Sequence, residues 1–235
     1  MVYKWLINSL SQLAPNQCHL CGEPNARADE FCKACWQDLP RFKFSCTQCG
    51  NELATATKTP CGHCLKQPPA FDRVIASFAY DIPVRQLISR FKFIGQINLA
   101  PLLAKSLLLS IQDNPTELQA ILPVPLHTSR LRDRGFNQAV ELARPLASAL
   151  QLPLLLNEVE RNKQTEIQSS LSASQREQNL RGAFSLIKPL PYQRIAIVDD
   201  VMTTGSTAHE LAKILKENGA EYVEVWCVAR ASNQH

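Results

Sequence analysis

Residues 195–207 read IAIVDDVMTTGST. Four aliphatic residues in unbroken succession predict a strand buried on both faces, as in a parallel sheet covered by helices. Two adjacent acids, Asp199 and Asp200, follow at its carboxyl end, where open α/β sheets bind their ligands. The next residues, Thr203, Thr204, Gly205, Ser206 and Thr207, lead into a helix predicted over 206–218 and stopped by Gly219. A hydroxyl-rich bend at a helix N-terminus offers N–H groups and a favourable dipole to an anion. Gly205 leaves room for close backbone approach. The order Gly-x-x-x-x-Gly-Lys-[Ser/Thr] is absent, and so is Gly-x-Gly-x-x-Gly, which excludes a Walker loop and a dinucleotide fingerprint. Carboxylates placed just before a phosphate cradle suit a sugar phosphate, the acids accepting from vicinal hydroxyls. The plainer alternative is a polar turn with Ser206 or Thr207 as a helix cap.

Working outward, apolar runs and amphipathic stretches alternate. Strands are predicted over 73–80, 120–124, 194–198 and 222–229, and helices over 84–93, 97–111, 137–150 and 172–180. This rhythm predicts an α/β fold, a Rossmann-like parallel sheet flanked by helices. Composition changes near Gln67-Pro68-Pro69, so the domains are expected at 1–68 and 69–235. Val2, Trp5, Leu6, Leu10 and Leu13 recur at helical spacing and predict an amphipathic helix rather than a signal peptide, since Asn8, Ser9, Ser11 and Gln12 interrupt any apolar core.

Nine cysteines are present, and eight form Cys-x-x-Cys pairs: Cys18/Cys21, Cys32/Cys35, Cys46/Cys49 and Cys61/Cys64. Cys227 reads as a small buried hydrophobe. CHLCG (18–22) returns as CTQCG (46–50), and CKAC (32–35) as CGHC (61–64), a repeat of 28 to 29 residues. The spacing favours two structural zinc sites in a reducing compartment over a secreted disulfide framework. Sequential pairing assigns Cys18, Cys21, Cys32 and Cys35 to one ion and Cys46, Cys49, Cys61 and Cys64 to the other; a crossed pairing stays open. His19 and His63 read as knuckle residues, each four-thiolate set being complete without them. The net charge of +4 permits contact with polyanions without arguing for it. No run approaches the ~18 apolar residues of a membrane span. The expected location is cytoplasmic, with no membrane insertion.

The string IVDDVMTTGST resembles the phosphoribosyl-pyrophosphate (PRPP) motif of type I phosphoribosyltransferases. With LPVPLHTSRLRDRGFNQA (122–139), RNKQTEIQSSLSASQREQNLRGAF (161–184) and the cysteine module, the chain resembles the ComF/GntX family over nearly its whole length. The resemblance implies a type I phosphoribosyltransferase fold behind a small N-terminal zinc-ribbon domain. It places Asp199 and Asp200 on the ribose hydroxyls, directly or through Mg²⁺, and residues Thr203 to Thr207 on the 5′-phosphate. The turn carrying Pro125, Arg130, Arg134, Gly135 and Asn137 would meet pyrophosphate, guanidinium forks matching phosphate oxygens. As residues alone, Arg130, Arg132 and Arg134 also fit a solvated loop or a nucleic-acid backbone patch. Arg161, Thr165, Gln168, Arg176 and Asn179 fall where such enzymes carry a flap. Asp199, Asp200 and Arg134 are the catalytic candidates, and His127 is a further candidate acid or base. Enzymes of 6-oxopurines carry aspartate at the position of Thr203, so the resemblance implies a different acceptor. It also implies a part in natural competence, at the cytoplasmic step of single-stranded DNA uptake, with phosphoribosyl transfer to a nitrogen acceptor. The rival reading is a non-catalytic PRPP-sensing adaptor whose zinc module binds single-stranded DNA or an uptake helicase. Phe31, Trp36, Phe42 and Phe44, beside Arg41 and Lys43, could stack bases or form the small module's core.

Overall fold

The structure is a computed structural model that describes residues 17–24, 31–163 and 182–232. The helices expected over 2–13 and 172–180 lie outside the described residues. The chain divides into two compact units, Met1–Leu39 and Pro40–His235.

In the smaller unit the described residues build one cysteine knuckle. The Cys18 N–H donates to Glu23 O and the Gly22 N–H to Cys18 O. Helix α1 (Lys33–Asp38) begins at Cys32, whose sulfur accepts from the Cys35 N–H. The Phe31 and Trp36 rings stack with centroids 6.3 Å apart.

The larger unit opens with the second copy of that knuckle: Cys46 N–H donates to Asn51 O, and Gly50 N–H to Cys46 O. The sequence repeat is thus a structural repeat. Helix α2 (Gly62–Lys66) follows. The expected boundary at 68/69 and the observed division at 39/40 therefore differ, and the second knuckle accounts for the difference. Thr47 O accepts from the Val74 N–H of strand β1 (Arg73–Ala79) at 3.1 Å, and a Cβ on Gly50 would stand 2.8 Å from Val74 Cγ1. This knuckle packs on the sheet.

The sheet has the order β1-β6-β5-β2, all parallel, with β2 at Ala120–Pro123, β5 at Arg194–Met202 and β6 at Tyr222–Arg230. Alternation along β5 decides what covers it. Ile195 and Ile197 share a core with Val223 and Val225 of β6 and with Leu211, Ala212 and Leu215 of α7 (Ser206–Glu217). Ala196 and Val198 point to the other face, where α6 (Gln138–Leu150) packs on β2 and β5 and α4 (Ala100–Gln112) on β1 and β6. Helix α3 (Val84–Phe93) buries Val84, Leu87, Ile88 and Phe91, one stripe at helical spacing. A short antiparallel pair, β3 (Val159–Arg161) and β4 (Phe184–Leu186), stands apart from the main sheet.

Several expected boundaries shift. Strand β5 runs through Met202, so both acids lie within the strand, Asp199 opposite Cys227. The helix expected over 97–111 starts as a 3₁₀ turn (Ile97–Leu99) and becomes α-helical in α4, with Pro101 in its first turn. The basic segment expected as a loop contains helix α5 (Thr128–Arg134), capped by His127 and ended by Gly135 at φ +79°. Its one large apolar residue, Leu131, is exposed, so it carries no periodic signal. Among the described residues no helix is long and apolar enough to cross a membrane.

Candidate functional site

The carboxyl ends of β2 and β5 open into a cleft of about 160 Å³. Its floor carries Asp199 and Asp200, and one rim is the bend Thr203–Thr207. Arg130 and Arg134 enter from α5, Asn137 and Gln138 from the start of α6, and Arg161 from β3. Arg130 and Arg134 are four residues apart and share a helix face, whereas Arg132 lies off that face and is exposed. Helix geometry sorts the three arginines.

The acids are held differently. Asp200 is 4% exposed; its Oδ1 accepts from the Val201 N–H at 2.7 Å and its Oδ2 meets Lys92 Nζ at 2.9 Å. Asp199 Oδ1 accepts from the Asp200 N–H at 2.9 Å. Burial and the neighbouring Asp200 charge push the Asp199 carboxyl up to about 7, Lys92 opposing. Burial works against the Lys92 charge, yet Asp200 and Asp199 together hold its ammonium above the ordinary lysine value. One lysine thus serves two carboxylates on the cleft floor, and Asp199 has no ion pair of its own among the described residues.

The cationic side is equally built. Arg134 donates to Gln138 Oε1 at 2.6 Å and stacks 5.4 Å from the Phe93 ring centroid. Burial lowers its pKa, with Asp200 opposing. Arg161 lies over Phe184, its guanidinium carbon 5.4 Å from the ring centroid, and burial lowers its pKa too. Gln138 is buried and its Nε2 makes no hydrogen bond among the described residues, a donor available to whatever fills the cleft.

The bend is organised by its own hydroxyls. Thr204 Oγ1 and Ser206 Oγ are 2.8 Å apart, and the Ser206 N–H reaches Thr204 Oγ1 at 3.4 Å. Gly205 precedes α7 at φ +84°, and a Cβ there would stand 2.7 Å from Met202 Cε. Gly205→Ala should therefore cost about 1–2 kcal/mol through left-handed strain. A denaturation midpoint equal to the parent's would contradict that geometry.

Most expected cleft residues come together here. Pro125 and Gly135 are not among those lining the cleft, and Thr165, Gln168, Arg176 and Asn179 lie outside the described residues. His127 is a helix cap: its Nδ1 is 2.8 Å from Ser129 Oγ and accepts from the Ser129 N–H, and it does not line the cleft. Asn137 is also a cap, accepting from the Ala139 N–H and donating to Val124 O, which fixes where α6 enters. Lys92 and Gln138 were not foreseen. Lys92 looks like an ordinary polar residue on an amphipathic helix, and Gln138 like the first turn of another. An i,i+4 relation to Arg134 is the one available hint for Gln138.

The cysteines form two groups, Cys18, Cys21, Cys32, Cys35 and Cys46, Cys49, Cys61, Cys64, with all four sulfurs of each within 4.8 Å of one another. The sequential pairing holds. Cys21 Sγ lies 3.6 Å from Cys32 Sγ, and Cys49 Sγ 3.7 Å from Cys61 Sγ. A tetrahedral ion with metal–sulfur bonds of ~2.3 Å needs sulfurs about 3.8 Å apart. Although burial opposes it, N–H groups of Cys21, Cys32 and Leu20 lower the Cys18 thiol to about 6. Against the same opposition, N–H groups of Cys49, Cys61 and Gln48 bring Cys46 to about 7. Each group is capable of holding a metal ion.

Fold and site together define a phosphoribosyltransferase-like α/β domain joined to two four-cysteine knuckles. Residues 133–235 match the phosphoribosyl transferase domain family and residues 9–65 the double zinc ribbon domain family. The chain is 41% identical over 221 residues to "Competence protein F" of Haemophilus influenzae, covering 91% of this chain and 96% of that protein. It is 39% identical over 222 residues to "DNA utilization protein YhgH" of Escherichia coli K12, covering 92% and 97%. Identity to "Competence protein ComFC" of Streptococcus pneumoniae is 26% over 228 residues, 91% of this chain and all of that protein. The chain belongs to the ComF/YhgH family.

Proposed function

We propose that the cleft binds PRPP with Mg²⁺ and that the protein transfers phosphoribosyl to a nitrogen acceptor. One observation carries this reading: a single cleft gathers a paired-acid floor, a hydroxyl-lined bend on a helix N-terminus, and guanidinium groups from two separate elements. Asp199 and Asp200 would accept from the ribose 2′- and 3′-hydroxyls. Thr203, Thr204, Gly205, Ser206 and Thr207 would hold the 5′-phosphate. Arg130 and Arg134, with Arg161 across the cleft, would take the charge that develops on departing pyrophosphate, where fixed charges lower a barrier most. Hard carboxylate oxygens and phosphate oxygens fit Mg²⁺, which would help neutralise that leaving group. Both four-cysteine groups would hold structural Zn²⁺ with no position left for water.

The names of the relatives, which speak of competence and of DNA utilization, support a part in those processes. An adaptor that senses PRPP without catalysis is the second reading. Exposed Arg41, and Lys43 with its ammonium 5.4 Å from the Phe44 ring centroid, give the second ribbon an aromatic and cationic surface suited to DNA or an uptake helicase.

Titrating PRPP with Mg²⁺ by calorimetry, then assaying pyrophosphate release over a panel of nitrogen heterocycles, separates the readings. Binding with release supports transfer, and binding without release supports the sensor. No binding removes both. For DNA, an affinity unchanged between low and moderate salt would argue against phosphate contact, which releases counterions.

A further inference from the structure

Arg230, the last residue of β6, is 1% exposed and does not line the cleft that holds the paired acids. Its Nε donates to Cys49 O at 2.8 Å, inside the second knuckle. Its Nη1 donates to Met202 O at 3.2 Å, to Thr203 O, and to Ala231 O at 2.5 Å. Met202 and Thr203 are the residues from which the anion-binding bend departs. One planar, rigid fork therefore ties a cysteine ligand's own carbonyl to the root of that bend. A second cleft, of about 390 Å³, is lined both by Cys49 and Cys64 and by Thr204, Gly205 and Ser206, so knuckle and bend face a common space.

Cys49 is one of the four candidate ligands of the second group, so an ion held there would fix the place of its carbonyl, metal binding and local folding being coupled in small sites. Without the Cys49 carbonyl, a buried guanidinium loses an acceptor and has reason to turn from Thr203 as well. We propose that Arg230 is a positioning residue for the 5′-phosphate bend and couples that bend to metal at the second four-cysteine site. The coupling rests on reading the bend as a phosphate site. It makes phosphate affinity depend on metal at Cys46, Cys49, Cys61 and Cys64, and, by linkage, makes that metal's retention depend on bound phosphate.

The test uses the full chain, metal-replete, with two probes: ribose 5-phosphate for the bend and inorganic pyrophosphate for the arginine face. Arg230→Lys keeps the charge but loses the fork. It should bind ribose 5-phosphate about tenfold more weakly and pyrophosphate within about twofold of the parent, a split that general loss of fold would not give. In equilibrium competition with a chelator, ribose 5-phosphate should raise retention of one metal ion in the parent and of none in Arg230→Lys. The same competition can be run on Arg230→Gln, so the result does not hang on one variant's folding. Equal weakening for both probes, or phosphate-dependent retention that survives in both variants, would overturn the coupling. A parent that binds neither probe would overturn the site reading first, and the coupling with it.

Discussion

Lys92→Met should destabilise the protein by about 3 kcal/mol at pH 8, the cost of leaving buried charge without its partner. That is the lower end for such a change, because Lys92 keeps 23% of its side-chain surface in water. For a chain of this size the loss corresponds to a fall in Tm on the order of 10 °C. The argument is electrostatic. Asp200 is 4% exposed and Asp199 is its neighbour on the same strand, so their charges repel in a medium that screens poorly. Lys92 Nζ, 2.9 Å from Asp200 Oδ2, is the counter-charge. The pH dependence has a definite sign. A lysine whose folded pKa is raised contributes stability that is fully present below its ordinary value of about 10.4 and lost as pH rises through the folded value. Protonating Asp199 removes part of the charge that Lys92 balances, so the variant's deficit should shrink as pH falls through about 7. Thermal melts of parent and variant from pH 4 to 8 check this. A deficit independent of pH would mean that Lys92 acts by packing alone.

Lys92 also marks the limit of what the chain discloses before folding. Strand β5 and its bend were legible because the signals there are local: an aliphatic run, a hydroxyl cluster, and a glycine where the backbone turns left-handed at φ +84°. Helix α3 was legible to both ends, since Val84, Leu87, Ile88 and Phe91 mark a helical stripe. What α3 delivers was not. Lys92 meets Asp200 because the chain enters α3 from β1, and β5 lies only one strand, β6, away in the sheet, a matter of strand order that no window of sequence contains. The three-residue strands β3 and β4 are too short to carry a period. The cysteine spacing left two pairings open, and only the sulfur positions decided between them. The compact units divide earlier in the chain than the composition does, for a related reason. Gln67-Pro68-Pro69 marks a real change of composition, but Val74, Thr47, Cys49 and Arg230 bind the second knuckle to the sheet through contacts far apart in sequence. His127 shows the converse: a residue type rich in chemical possibility is used here to cap a seven-residue helix.

Asp199→Asn should do two opposite things, lowering PRPP affinity by about a hundredfold, on the order of two charge-assisted hydrogen bonds, while making the free protein more stable at pH 8. The Asp199 carboxyl sits at about 7 in the folded chain, raised by burial and by Asp200. Unfolded, it would ionise near 3.9. Between those values the folded state holds a proton that the unfolded chain has released, so the group's contribution to stability falls as pH rises from about 4 to about 7. Asparagine has no such slope. The stability difference between variant and parent should therefore be small at pH 4, grow across that interval, and level off above it. Ligand binding draws on the same carboxylate in the other direction: a diol or a Mg²⁺ ion wants it charged, so parent affinity for PRPP with Mg²⁺ should strengthen as pH rises through about 7, and the variant's should not. A strained acid that is relieved by its ligand is what a binding cleft requires and a passive turn does not. Denaturant titrations and calorimetry on both proteins over pH 5 to 8 decide the matter. An asparagine variant less stable than the parent at pH 8, or one that binds PRPP undiminished, would reduce Asp199 to a structural strand residue with no part in ligand binding.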